Sequence, residues 1–187
     1  MNRLINMLES NPTVAAIKND EDLKTVLEND NDVVFILYGD ICNIADIVNK
    51  LKEFNKIAIV HIDLISGLSS KDVSVDFIKK HTSADGIIST KPMIIKRAKE
   101  LGLWAILRFF IFDTISFENI SKALKHVTPD MIEVLPGLMP KIIKKINNMV
   151  DIPIIVGGLI DEKSDVISAL NAGAFAISTS DHKIWKM

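Results

Sequence analysis

Val33-Val34-Phe35-Ile36-Leu37 and Ile57-Ala58-Ile59-Val60 are apolar at every position. A strand with one wet face alternates apolar and polar residues. A run that is apolar throughout is buried on both sides, as in a parallel sheet covered by helices. Working outward from these two, similar short β-branched runs recur along the chain. They are Val14–Ile17, Val33–Leu37, Ile57–Ile62, Gly86–Ser89, Leu103–Leu107, Met131–Leu135, Ile154–Val156 and Ala174–Ser178, eight in all.

Amphipathic helical stretches lie between them. Glu21–Glu28 follows the cap candidates Asn19 and Asp20, and Ile44, Ile47, Val48 and Leu51 share one face after Asp40. Pro92 and Pro140 sit where a first helical turn accepts proline. Pro92 precedes the stripe Ile94, Ile95, Ala98 and Leu101, and Pro140 precedes Ile142, Ile143 and Ile146. Ile120, Ala123, Leu124 and Val127 form a further stripe. Asp161 reads as the cap of a helix carrying Val166, Ile167 and Leu170 and ending at Gly173. Strands alternating with helices imply parallel βα units. An open doubly wound sheet fits that alternation, but eight is the number that closes a barrel. The expected fold is therefore α/β, a small (β/α)8 TIM-type barrel with short helices, forming one domain over residues 1–187. The longest strand-to-helix loop is expected at Leu64–Lys71.

The bulk properties narrow the function. The 187 residues carry 22 Lys and Arg against 24 Asp and Glu, a net charge of −2, so no global attraction to nucleic acid or to an anionic membrane follows. Cys42 is the only cysteine, which rules out an intrachain disulfide and a cysteine-rich zinc site. A reducing cytoplasm is the expected location. Met1–Ser10 has only Arg3 and a broken apolar run, unlike a signal peptide, and no apolar stretch reaches the ~20 residues of a membrane helix.

In a barrel, function gathers at the C-terminal ends of the strands. Polar residues stand at nearly all of them: Lys18, Gly39-Asp40, His61 and Asp63, Ser89-Thr90-Lys91, Arg108, Glu133, Gly157-Gly158, and Ser178-Thr179-Ser180. His61 and Asp63 are two apart, which places both on one strand face. Glu133 lies inside an apolar run, where a carboxylate needs a cation or donor; Lys18 and Arg108 are the cations at hand. Two readings follow, a pocket for hydroxyls and a phosphate or an ion-pair network plugging the barrel mouth. Gly157-Gly158 ahead of a helix, then Ser178-Thr179-Ser180 after the next strand, favours the pocket. Glycine lets backbone approach an anion, and the loops after the last two strands often hold phosphate. The four histidines show no metal-ligand spacing; Asp40, Asp63 and Glu133 could hold magnesium, but no metal is expected. No nucleophile elbow or P-loop is present.

Several strings occur together in order. They are His61-Ile-Asp-Leu-Ile-Ser-Gly-Leu68, Asp85-Gly-Ile-Ile-Ser-Thr90, Pro129-Asp130 with Glu133-Val-Leu-Pro-Gly-Leu138, Pro153-Ile-Ile-Val-Gly-Gly-Leu-Ile160, and Ala169-Leu-Asn-Ala-Gly-Ala174 with Ser178-Thr-Ser180. Over about Pro12 to Trp185 the chain resembles the glycerol uptake operon antiterminator family of bacteria. That resemblance implies a sensor of glycerol 3-phosphate that acts on leader mRNA to prevent early termination at glycerol-use genes, with no cofactor. It further implies that Gly157, Gly158, Ser178, Thr179 and Ser180 hold the phosphate, and that Lys18, His61, Asp63, Arg108 and Glu133 line the glycerol end. A homodimer fits such a regulator.

The residues leave another class open. A phosphate-binding barrel enzyme, a lyase or isomerase of a small sugar or polyol phosphate, could use His61, Asp63, Lys18 and Glu133 as acid and base. A degenerate barrel kept as an interaction scaffold is a blander third reading. RNA binding is not visible in composition. Lys141, Lys144 and Lys145; Lys96, Arg97 and Lys99; and Lys79, Lys80 and His81 are the basic clusters, each also readable as a solvated helix face. With 6% aromatic residues, no stacking platform stands out.

Overall fold

A computed structural model describes residues 2–187. After a helix α1 (Asn2–Ser10), the chain runs β1 (Thr13–Ile17), α2 (Asp20–Leu27), β2 (Val33–Ile36), α3 (Ile44–Glu53), β3 (Ile57–His61) and a 3-10 turn Ile62–Leu64. It continues through α4 (Val73–His81), β4 (Gly86–Ser89), α5 (Pro92–Glu100), β5 (Trp104–Phe110), α6 (Thr114–Leu124) and β6 (Met131–Leu135). It ends with α7 (Pro140–Asn147), β7 (Ile154–Gly157), α8 (Lys163–Asn171), β8 (Ala176–Thr179) and α9 (His182–Trp185). All neighbouring strands are parallel, and β8 pairs with β1 to close the barrel. The chain is an α/β (β/α)8 TIM-type barrel.

Strand alternation divides the apolar residues into two cores. Ala15, Ile17, Val34, Ile36, Ala58 and Val60 face outward and pack beneath the helices against Ile47, Leu51, Ile78, Ile95 and their like. Val14, Ala16, Val33, Phe35, Ile57, Ile59, Ile88, Ile106, Met131, Ile155 and Ala176 face inward and fill the barrel. This is why the strand runs are apolar on both faces.

The inner core also takes in α1, which carries no cap signal in the sequence. Leu4 and Leu8 of α1, one helical turn apart, are fully buried in the same cluster as Val14, Val33 and Ile57. These partners lie at the N-terminal ends of their strands, so α1 stoppers the bottom of the barrel. Arg3 Nη2 donates to the Asn55 carbonyl at 3.1 Å and fastens the stopper to the loop before β3.

Two further ties repeat on that lower face. Asp85 accepts from the Ala58 N–H at 2.8 Å and pairs with Lys52 at 2.6 Å. Asp130 accepts from the Ala105 N–H at 2.9 Å and pairs with Lys99 at 2.5 Å. In each case an aspartate just before an even-numbered strand binds the start of the preceding strand and a lysine of a helix. Asp85 and Asp130 themselves thus serve stability, leaving the opposite face for the site.

Helix ends follow local chemistry. Asn19 caps α2 by accepting from the Asp22 N–H, and Asp113 forms a capping box with Ser116 on α6. The α8 cap is Glu162, one residue after the expected Asp161; Asp165 Oδ2 accepts from the Glu162 N–H at 3.1 Å and the Asp161 N–H at 3.4 Å. That carboxylate occupies the helix start expected to offer N–H groups to a phosphate. Ile167 of the expected α8 stripe is 49% exposed.

Candidate ligand site at the barrel mouth

Arg108 and Glu133 stand side by side in register on β5 and β6, both pointing into the barrel. Arg108 is 7% exposed and Glu133 1%. Arg108 Nε donates to Glu133 Oε2. The other carboxylate oxygen accepts from Ser178 Oγ at 2.5 Å. That second bond reaches from β8 across β7 to β6, and it can do so only because β7 presents Gly157 there. A Cβ on Gly157 would lie 2.1 Å from Ser178 Oγ and 3.0 Å from Glu133 Oε1. The sequence reading gave Gly157 to a phosphate by backbone approach; in the structure its missing side chain is what lets Glu133 and Ser178 meet. Gly157→Ala is therefore expected to cost about 1–3 kcal/mol in urea unfolding through overpacking, together with the Ser178–Glu133 bond. A variant as stable as the parent would contradict this reading of Gly157.

Above this layer opens a cavity of about 440 Å³, within the usual range for small-ligand sites. Lys18, Arg108, Glu133, Gly158, Ser178, Thr179 and Ser180 line it, with Ala16, Leu37, Leu135, Leu159, Ile160, Asp161 and Asp181. Seven of the ten residues singled out from sequence thus come together in one space. Arg108 Nη1 and Nη2, Lys18 Nζ and Ser180 Oγ have no protein partner among the described residues. The cavity therefore presents uncommitted donors, while both oxygens of Glu133 are engaged.

Thr179 points the other way. Its Oγ1 donates to the Ile160 carbonyl at 2.7 Å and accepts from the Asp181 N–H at 3.0 Å, joining the loops after β7 and β8. Trp185 of α9 donates to the Thr179 carbonyl at 2.8 Å and packs beneath that joint. Gly158 has φ +78°, and Leu159 follows at φ +63°, a left-handed leucine 70% exposed on the rim. Leu159, Asp161 and Asp181 were not picked as site residues from sequence; a leucine after two glycines carries no signal that it will be held out on a rim.

Of the three that do not line the cavity, Gly157 lies beneath it, and His61 and Asp63 do not share a face. The 3-10 turn begins at Ile62, so alternation stops at His61. His61 is buried within the barrel, 3% exposed, and its Nδ1 is buried with no partner among the described residues. Burial, then the Arg108 charge, lowers its pKa to about 4, against the opposing pull of Asp63. The unfolded chain takes up this proton near pH 6.5 and the folded chain only near 4. His61 therefore contributes its full stabilisation above pH 6.5 and loses up to about 3 kcal/mol as the pH falls through that window. Urea unfolding across pH 7 to 4 should show this slope and His61→Gln should flatten it; equal slopes in both proteins would contradict it.

Asp63 turns to β4. It accepts from Ser89 Oγ at 3.0 Å, Thr90 N–H at 2.8 Å and Lys91 Nζ at 3.5 Å. Burial pushes its pKa up, and the bonds from Thr90 and Ser89 outweigh that, leaving the carboxyl below its usual value. Lys91 Nζ also contacts Ser70 Oγ, and Ser66 bridges to Asp40. These contacts anchor the loop after the 3-10 turn. Among the described residues, no group of three His, Cys, Asp or Glu is arranged to hold a metal ion.

The family model described as glycerol-3-phosphate responsive antiterminator matches residues 13–185. The chain belongs to that antiterminator family. The matched stretch starts at the first residue of β1 and ends at the last of α9, so it contains the whole barrel and leaves the α1 stopper outside. The crystal structure of a glycerol uptake operon antiterminator regulatory protein from Listeria monocytogenes superposes with a TM-score of 0.91 at 31% identity, covering 94% of this chain and 95% of that one. A glycerol uptake operon antiterminator-related protein from Thermotoga maritima gives 0.83 at 34% identity, covering 94% and 98%. An Escherichia coli K12 protein named YgcP, described as uncharacterized, is 41% identical over 184 residues, covering 98% of this chain and 96% of its own. No helix among the described residues is long and apolar enough to cross a membrane.

Proposed function

We propose that this antiterminator-family chain is a glycerol-3-phosphate sensor in the cytoplasm, and that its liganded form acts on leader mRNA of glycerol-use genes to let transcription continue. The observation carrying this reading is the cavity at the barrel mouth, where the free fork of Arg108, Lys18 and Ser180 face one small space beside Gly158. A dianion fits that donor set, with its phosphate toward the loops after β7 and β8 and its hydroxyls toward Lys18, Arg108 and Glu133. His61 and Asp63 support this end from behind: His61 stays neutral beside Arg108, and Asp63 fixes the neighbouring strand end.

Binding is favoured over turnover by the state of Glu133. Each of its oxygens already holds a hydrogen bond within the protein, which fixes the carboxylate as a structural acceptor beside the ligand. The test is transcription in vitro through the leader of a glycerol-use operon, with purified protein and glycerol 3-phosphate. Readthrough should rise only when both are present, and the glycerol 3-phosphate should be recovered unchanged. Readthrough indifferent to the protein, or efficient conversion of the phosphate, contradicts the reading.

A further inference from the structure

We propose that single-stranded RNA binds across α7, its backbone following the lysines of that helix and a base stacking on Phe112. This rests on the antiterminator reading above and adds the surface that would serve it. Lys141, Lys144 and Lys145 are exposed and form no ion pair among the described residues. The basic cluster of α5 differs: Arg97 is bound by Asp76 and Glu100, and Lys99 by Asp130, so its charge is largely spent.

Grooves flank α7 on both sides. Toward α8, Lys141 and Lys144 share a groove with Ser164 and Asn171, and no carboxylate among the described residues lines it. Toward α6, Lys145 shares a groove with Phe112, which is 82% exposed. The two carboxylates there have other work: Asp113 caps α6, and Glu118 faces Lys122 at 3.8 Å. A basic ridge beside an exposed aromatic ring is the arrangement that holds single strands, by phosphate contacts and base stacking. The sequence alone hid the aromatic half, since Phe112 ends the apolar stretch Phe109–Phe112 and nothing local marks it as exposed.

The same helix is mechanically joined to the ligand cavity. Gly137, just ahead of α7, donates its N–H to the Gly158 carbonyl at 2.9 Å. A Cβ on Gly137 would come within 2.6 Å of Ile160 Cδ1. The cavity-lining loop Gly158–Asp161 therefore rests directly on the lead-in to α7, which gives a ligand a short path to the RNA face.

The test is fluorescence anisotropy with a labelled 30-nucleotide single-stranded RNA pool of random sequence, in a salt series with and without glycerol 3-phosphate. Lys141→Glu/Lys144→Glu should lower affinity at least about tenfold and reduce the slope of log K against log salt by about 1.4. Phe112→Ala should lower affinity about fivefold or more. Lys79→Glu/Lys80→Glu on α4, which changes net charge equally, should leave binding as it is. The proposal is overturned if the α7 pair binds like the parent or if the α4 pair carries the loss. It is also overturned if Phe112→Ala changes only the oligomeric state by light scattering, or if the parent binds no RNA under either condition. Readthrough in the transcription assay judges the antiterminator reading separately: parental readthrough with unaffected α7 variants sinks the surface alone, whereas RNA binding by the parent without readthrough sinks the reading.

Discussion

Glu133→Ala is expected to destabilise the protein by about 3–5 kcal/mol, the usual cost of removing one member of a buried ion pair. It would strand the Arg108 guanidinium in the barrel with no counter-charge and leave Ser178 Oγ without its acceptor. For a domain of this size the midpoint of thermal unfolding should fall on the order of 10 °C. The cost lies in the orphaned charge, not in the lost attraction, so Arg108→Met/Glu133→Leu should recover most of the stability while abolishing ligand binding. Urea unfolding of the two variants separates these contributions. A single variant within 1 kcal/mol of the parent would mean that the pair is not what holds this layer together.

Arg108→Lys is expected to leave the fold in place and weaken glycerol 3-phosphate binding about tenfold to hundredfold. A lysine ammonium can still neutralise Glu133, but it cannot both bind Glu133 through Nε and hold out a second pair of N–H donors to the cavity. Hydrogen bonds to a charged group contribute about 1.5–3 kcal/mol, and each 1.4 kcal/mol is tenfold in affinity. Isothermal titration at fixed salt measures it. An unchanged Kd would remove Arg108 from the ligand site and return it to a purely structural role.

The barrel was legible because inward and outward strand faces are both apolar, which marks each run without requiring its pairing. Boundaries blurred where a polar residue belongs inside. Arg108 looked like the end of a run at Leu107, yet β5 continues to Phe110, since the charge is compensated by Glu133 on the next strand. That partnership depends on register, which no local pattern carries. The start of β8 at Ala176, two residues after the expected Ala174, is local: Phe175 donates to the Ile154 carbonyl before the regular ladder begins.

Helix α1 was missed for a different reason. Leu4 and Leu8 are one turn apart in a short segment without a cap signal, and only the open end of a barrel gives that pair somewhere to go. The strand-end residues that line the mouth cavity were legible as a set, and their connectivity was not. Period-two spacing placed Asp63 beside His61, and the 3-10 turn undoes that. Thr179 looked equivalent to Ser178 and Ser180, whereas alternation sends it outward to join two loops.

The measurement that bears most directly on the sensor account is a calorimetric titration of glycerol 3-phosphate into the parent protein, Arg108→Lys and Gly157→Ala. The account predicts saturable binding of one molecule per chain to the parent, weakened in both variants, with unphosphorylated glycerol producing no binding heat. Absence of saturable binding to the parent, or binding that neither substitution disturbs, would contradict it.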